Sequence, residues 1–228
     1  MYILKIDKDK MFLVYSIEKK TKTIYNFTKV GEDMKKGFTL IELLAVIIIL
    51  SVIMSIAIPN IIATIDRNKK DAFIDDAKRM ISAAEYKVRS DSSIEYPNTG
   101  GVTIIKLDKL GTSGLDRSPF DSVYSKSRSF VAIVNKVVDG KTERQYYAHL
   151  VTCEDNDCNN LSDDAITKVR GIFLANRDQL STAGRLDLIL KGSDVNYEKV
   201  DSDSIRIALH EQLHDYGIDI DVNSIKIY

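Results

Sequence analysis

The stretch Lys35-Lys36-Gly37-Phe38-Thr39-Leu40-Ile41-Glu42-Leu43-Leu44, running on through apolar residues to Ala57-Ile58-Pro59-Asn60, decides how this chain is read. From Phe38 to Ile58 there are 21 residues and a single charge, Glu42. A helix of about 20 apolar residues crosses a bilayer, so the length predicts a membrane span. It exceeds the apolar core of an ordinary signal peptide, roughly 7–15 residues. Lys35 and Lys36 stand just before it. By the positive-inside rule they predict a cytoplasmic N-terminus, with the body beyond Pro59 outside the membrane.

Three readings compete for this segment. In the first it is a cleaved signal peptide, with Ser55-Ile56-Ala57 as the small-x-small site; its length and Pro59, two positions on, argue against that. In the second it is an uncleaved anchor. The third has to explain Glu42, because a carboxylate inside the apolar core costs about 2.5–3.5 kcal/mol. A partner removes that cost, and the partner expected is an amine on a neighbouring chain.

Lys36-Gly37-Phe38-Thr39-Leu40-Ile41-Glu42, the unbroken apolar run and Ala57-Ile58-Pro59-Asn60 together closely resemble the N-terminus of type IV prepilins and pseudopilins. The resemblance covers about residues 34–65 and is only architectural beyond them. It implies that a membrane-embedded prepilin peptidase cuts between Gly37 and Phe38, that Phe38 becomes an N-methylated terminus, and that Glu42 is the assembly glutamate. The new amine then lies about one helical turn from Glu42, and in a bundle each amine neutralises a neighbour's carboxylate. Pro59 has no N–H for the Ser55 carbonyl and marks a kink or local melting of the helix. One departure is Ser51, where many relatives carry Gly. A leader of 37 residues is long for this family, and Met34-Lys35-Lys36-Gly37 suffices alone; translation is expected to start at Met34, leaving 1–33 untranslated. If 1–33 are made, Tyr2-Ile3-Leu4 and Met11–Ile17 show strand-like alternation.

The charge is unevenly spread. Residues 1–37 hold nine Lys and five Asp/Glu, whereas the remainder holds 23 Lys/Arg and 28 Asp/Glu. An acidic body without a basic run offers no electrostatic reason for strong nucleic-acid binding. Trp is absent, which excludes a Trp-based binding platform. No phosphate-binding glycine loop, nucleophile elbow or Ser/His/Asp arrangement is visible. Cys153 and Cys158 form a disulfide if the body is exported and remain two thiols if it is cytosolic.

Beyond Pro59 the apolar positions Ile62, Ile65, Phe73, Ala77, Met80, Ile81, Ala84 and Val88 recur near a 3.6-residue period, predicting an amphipathic helix that ends at Ser90-Asp91-Ser92-Ser93. One short element is expected around Val102–Leu110. Asp139-Gly140 between Phe130–Val138 and Arg144–Thr152 predicts a two-residue hairpin. Pairing Val138 with Lys141 puts Val131, Ile133, Val137, Tyr146, Ala148 and Leu150 on the core face and His149 on the opposite side, near Phe130. Ile166–Ala175, Arg185–Lys191 and Ile218–Tyr228 are further strand candidates. Ser204–Tyr216 is a helix with Gly217 as its C-terminal cap.

Two local motifs invite chemistry. His210-Glu211-Gln212-Leu213-His214 matches H-E-x-x-H, in which two histidines bind zinc and the glutamate activates water. Such a site needs a third ligand and a cleft. Ile205, Leu209, Leu213 and Tyr216 account for the helix without a metal, so none is expected, His210 and His214 being the candidates otherwise. Cys153-Glu154-Asp155-Asn156-Asp157-Cys158-Asn159-Asn160 is rich in oxygen ligands but lacks EF-hand spacing, and reads as a solvated turn.

The expected fold is α+β: a long N-terminal helix packed on an antiparallel β-sheet, with a C-terminal extension. Residues 1–37 are the leader, 38–59 the transmembrane assembly helix and 60–90 its amphipathic half. Residues 91–161 are a loop and the antiparallel sheet of a pilin-like head, and 162–228 the C-terminal part of that head or an extension. The expected function is a non-enzymatic, cofactor-free subunit, minor rather than major, of a type IV pilus, a secretion pseudopilus or a DNA-uptake filament. Its implied partners are other subunits, the prepilin peptidase, the membrane assembly platform and the bilayer, with nucleic acid only in the DNA-uptake case. The implied location is the inner membrane and then a cell-surface filament. The alternative is a membrane-anchored binding protein or zinc enzyme using His210 and His214.

Overall fold

The structure, a computed structural model, describes residues 39–111, 115–155, 158–159 and 161–228. The leader, Gly37 and Phe38 therefore lie outside the described residues. Helix α1 is Leu40–Ser90 and contains Pro59. The chain divides into two compact units, Met1–Ile58 and Pro59–Tyr228.

In the first unit α1 presents its side chains outward all round. Leu40 is 87% exposed, and Ile41, Leu43, Leu44 and Ile47 to Leu50 are exposed as well. The richest 18-residue window of α1 has a mean hydropathy of 2.9 with none of it buried. A helix apolar on every face has no core-facing stripe, and its natural solvent is lipid or other helices.

The second unit is a three-layer α+β body. Its strands are β1 (Val102–Lys106), β2 (Val123–Tyr124), β3 (Phe130–Val138), β4 (Lys141–Cys153), β5 (Arg170–Asn176), β6 (Leu190–Lys191) and β7 (Ile225–Ile227). They form one sheet in the order β6-β5-β4-β3-β1-β7, with β2 paired to the end of β4. Two further helices are α2 (Asp163–Lys168) and α3 (Asp203–Asp215). On one face, Phe73, Ile74, Ala77, Met80, Ile81, Ala84 and Val88 of α1 pack against Val131, Ile133, Ala148, Leu150 and Ile172. On the other, Ile205, Leu209 and Leu213 of α3 pack against Phe130, Ala132, Val134 and Tyr147.

The hairpin lies where Asp139-Gly140 predicts it, with Val138 opposite Lys141. Both of its faces are core, however, and not only the face carrying Val131 and Ile133. That explains why Phe130–Val134 is apolar without alternation. Val137 is not core: it is 60% exposed, because the hairpin runs on beyond Val134, where pairing with β1 stops. The sheet is also mixed, since β7 pairs with β1 in parallel while the other pairs are antiparallel.

Three predicted strands are shorter than expected, each for a local reason. Ile166–Ala175 begins as helix α2, because the Ser162 hydroxyl accepts the N–H of Ala165 at 3.2 Å and caps the turn; only Arg170–Asn176 is strand. Arg185–Leu188 is a 3₁₀ turn, and Arg185 gives two hydrogen bonds to Asp71 of α1, at 3.2 and 2.8 Å, leaving Leu190–Lys191 as strand. Of Ile218–Tyr228 only Ile225–Ile227 is strand, since the Asp221 carboxylate accepts from the N–H of Asn223 and winds Val222–Ser224 into a turn. Residues 162–228 thus supply three strands of the same sheet and the helix covering its second face.

Candidate functional site

Helix α1 starts with a reciprocal cap. The N–H of Glu42 donates to Oγ1 of Thr39 at 3.3 Å, while the N–H and hydroxyl of Thr39 both donate to Oε2 of Glu42, at 2.9 and 3.0 Å. This is the T-x-x-E capping box, which satisfies helix-terminal donors that lipid cannot satisfy. The acidic group also stands at the positive end of the helix dipole, where a negative charge is stabilised. The sequence reading assigned Glu42 a neighbour's amine and missed this bond within the chain, although the spacing Thr39-x-x-Glu42 carries the signal.

Further along the same helix the hydroxyls are satisfied locally. Ser51 donates to the carbonyl of Ile48 at 2.7 Å and Ser55 to that of Val52 at 2.8 Å. Polar side chains that bond their own backbone are tolerated in an apolar medium. Residues on both sides of Pro59 are helical.

Cys153, the last residue of β4, is bonded to Cys158 across a Cα–Cα distance of 5.4 Å. Asn156, Asp157 and Asn160 of the acidic segment fall outside the described residues, and the carboxylate of Glu154 is paired with Lys168 at 2.8 Å. Arg128, only 6% exposed, holds this region together. Its guanidinium donates to the carbonyls of Tyr197 and Cys158 and to Oδ1 of Asn159. Nothing in the sequence around Arg128 signals that role, because its three acceptors come from two distant segments.

His210 and His214 lie on α3 with ring centroids 6.3 Å apart. Nε2 of His214 is 3.6 Å from Oδ1 of Asp219. The remaining histidine, His149, does not join them. It is fully buried between the rings of Phe130, at 4.7 Å, and Phe173, at 5.0 Å. Neither of its nitrogens makes a well-formed hydrogen bond. Burial pushes its pKa down to about 3, opposed in part by the backbone of Ile172 and Asn196. Its place coincides with a bulge: between the pairs Ala148–Ala175 and Leu150–Ile172, His149 faces two residues of β5, one of which, Leu174, has φ 49°. As the side chains stand, no group of three or more His, Cys, Asp or Glu among the described residues is arranged to hold a metal ion.

The features that stand out are therefore a capped, lipid-compatible helix bearing one acid near its start and, in the second unit, a body whose buried histidine lies apart from the pair on α3. No curated protein and no solved structure matches the chain. Residues 33–58 do match the prokaryotic N-terminal methylation motif, and the chain thus carries the signature of the type IV prepilins and pseudopilins.

Proposed function

We propose that the chain is a minor pilin or pseudopilin, built into a type IV pilus-like filament through α1. The observation that carries this reading is a coincidence at one place. The methylation motif at 33–58 overlaps the apolar part of α1, of which the richest window has nothing buried, and that part holds Glu42 in its first turn. In the proposed sequence of events the chain waits in the inner membrane with its body outside. A prepilin peptidase cuts between Gly37 and Phe38, and the Phe38 amine is methylated. Glu42 then exchanges its cap on Thr39 for the amine of an adjacent subunit as the assembly platform draws the helix into the bundle. Pro59 marks where that helix adjusts its path in the filament.

N-terminal sequencing and intact mass of the chain recovered from membranes test the proposal. A start at N-methylated Phe38 is expected. This product is the same whether translation begins at Met1 or Met34. A start at Ile58 identifies a signal peptide, and retention of Lys35-Lys36-Gly37 identifies an anchor; either result removes the reading. Glu42→Ala is expected to leave cleavage intact and abolish incorporation into filaments.

A further inference from the structure

Helix α3 presents two imidazoles four residues apart, a spacing that places side chains one above the other on one helical face. His210 is partly exposed, yet its Nδ1 is buried and lacks a hydrogen-bond partner. The side chain of His214 is 67% exposed and stands beside Asp219, itself 87% exposed. The carboxylate reaches this position because α3 ends in a tight reversal. The N–H of Gly217 donates to the carbonyl of His214 and that of Ile218 to the carbonyl of Leu213, both at 2.8 Å. Gly217 takes φ 72°, the left-handed conformation that such a cap demands. The sequence motif alone lacked a third ligand, and the reversal brings one within reach from outside it.

We propose that His210 and His214 chelate a divalent d-block cation of the zinc or nickel class, with Asp219 closing on it from the reversal. Imidazole nitrogens and one carboxylate form a donor set suited to these ions. Zinc–nitrogen bonds of about 2.0–2.1 Å require two ligating nitrogens about 3.3 Å apart, so the rings, with centroids 6.3 Å apart, must draw closer to share an ion. Exposure of His214 and Asp219 leaves them free to make that movement by side-chain rotation. Glu211 and Asp215, both exposed on the same stretch of helix, add negative charge that favours a cation. Water fills the remaining coordination positions. The ion ties the end of α3 to the segment in which Ile218 and Ile220 enter the second core on the way to β7.

Histidine content makes the test clean. The chain has three histidines, and His149 is fully buried, so imidazole-dependent binding by the folded chain reports this pair. The full chain in detergent is titrated with nickel chloride by calorimetry near neutral pH. One ion per chain is expected. His214→Ala or His210→Ala is expected to weaken binding about tenfold or more, the double variant to abolish it, and Asp219→Asn to weaken it about threefold. The exposed His214→Ala change keeps the test valid if His210→Ala disturbs packing. Absence of saturable binding up to about 1 mM nickel, or equal binding by the double variant, overturns the proposal.

Discussion

Single residues divide into those that announce themselves and those that only the fold explains. Glu42 was legible because its oddity is local: one carboxylate in 21 apolar residues needs a reason wherever the chain goes. His149 was legible only as a position opposite Phe130, and its complete burial depends on β5 and the 195–200 segment arriving from far along the chain. Its burial has a pH consequence with a definite sign. The folded chain keeps His149 neutral down to about pH 3, whereas the unfolded chain protonates it below its ordinary value near 6.5. Over that window the unfolded state binds the extra proton, so stability falls as pH falls, with a slope approaching about 1.4 kcal/mol per pH unit. His149→Leu removes that contribution. Melting temperatures between pH 6.5 and 4.5 are expected to fall less steeply in the variant, and parallel curves would refute the assignment. Gly171 makes a second prediction at this scale. A β-carbon there would lie 2.5 Å from Cγ1 of Val195 and 3.1 Å from the carbonyl oxygen of Leu150. Gly171→Ala is therefore expected to cost about 1–3 kcal/mol in chemical denaturation.

Among elements, the helices and the hairpin were readable because period and turn chemistry are written in contiguous residues. The heptad-like run from Phe73 to Val88 and the Asp139-Gly140 turn needed no tertiary information. Ile166–Ala175 was misread because Ser162, with Asp163 and Asp164 behind it, caps a helical turn that the apolar pattern hides. The two-sided burial of β3 was also missed, since an apolar run does not say what covers each face until α3 is placed. Two interventions test these elements. Ser202 caps α3 by accepting the N–H of Ile205 at 3.2 Å, and Ser202→Ala is expected to lower stability by about 1 kcal/mol, with Ser202→Asp retaining it. Replacing Cys153 and Cys158 together by Ser opens a small loop, for which chain entropy gives a loss of roughly 2 kcal/mol. Reductant is expected to lower the melting temperature of the native chain and leave that of the double variant unchanged.

For the whole molecule, the α+β class followed from the sequence because a long helix and a strong hairpin suffice to define it. The connection that completes the sheet did not follow, because a three-residue strand carries too little pattern. β7 lies beside β1, pairing Val102 with Ile225 and Ile104 with Ile227. The N–H of Tyr228 donates to the carbonyl of Ile104, and the Tyr228 carbonyl accepts the N–H of Lys106. More than 120 residues of chain separate the partners, and loop closure over such a length must precede any gain from the contact. Among the described residues β7 is thus an edge of the finished sheet, and it is synthesised well after the β1 strand on which it docks. Until β7 docks, β1 offers an open row of backbone donors and acceptors beside two apolar cores, so completion of the sheet is a matter of timing: between the synthesis of β1 and that of β7 the edge must be shielded, or the interval must be shorter than aggregation needs.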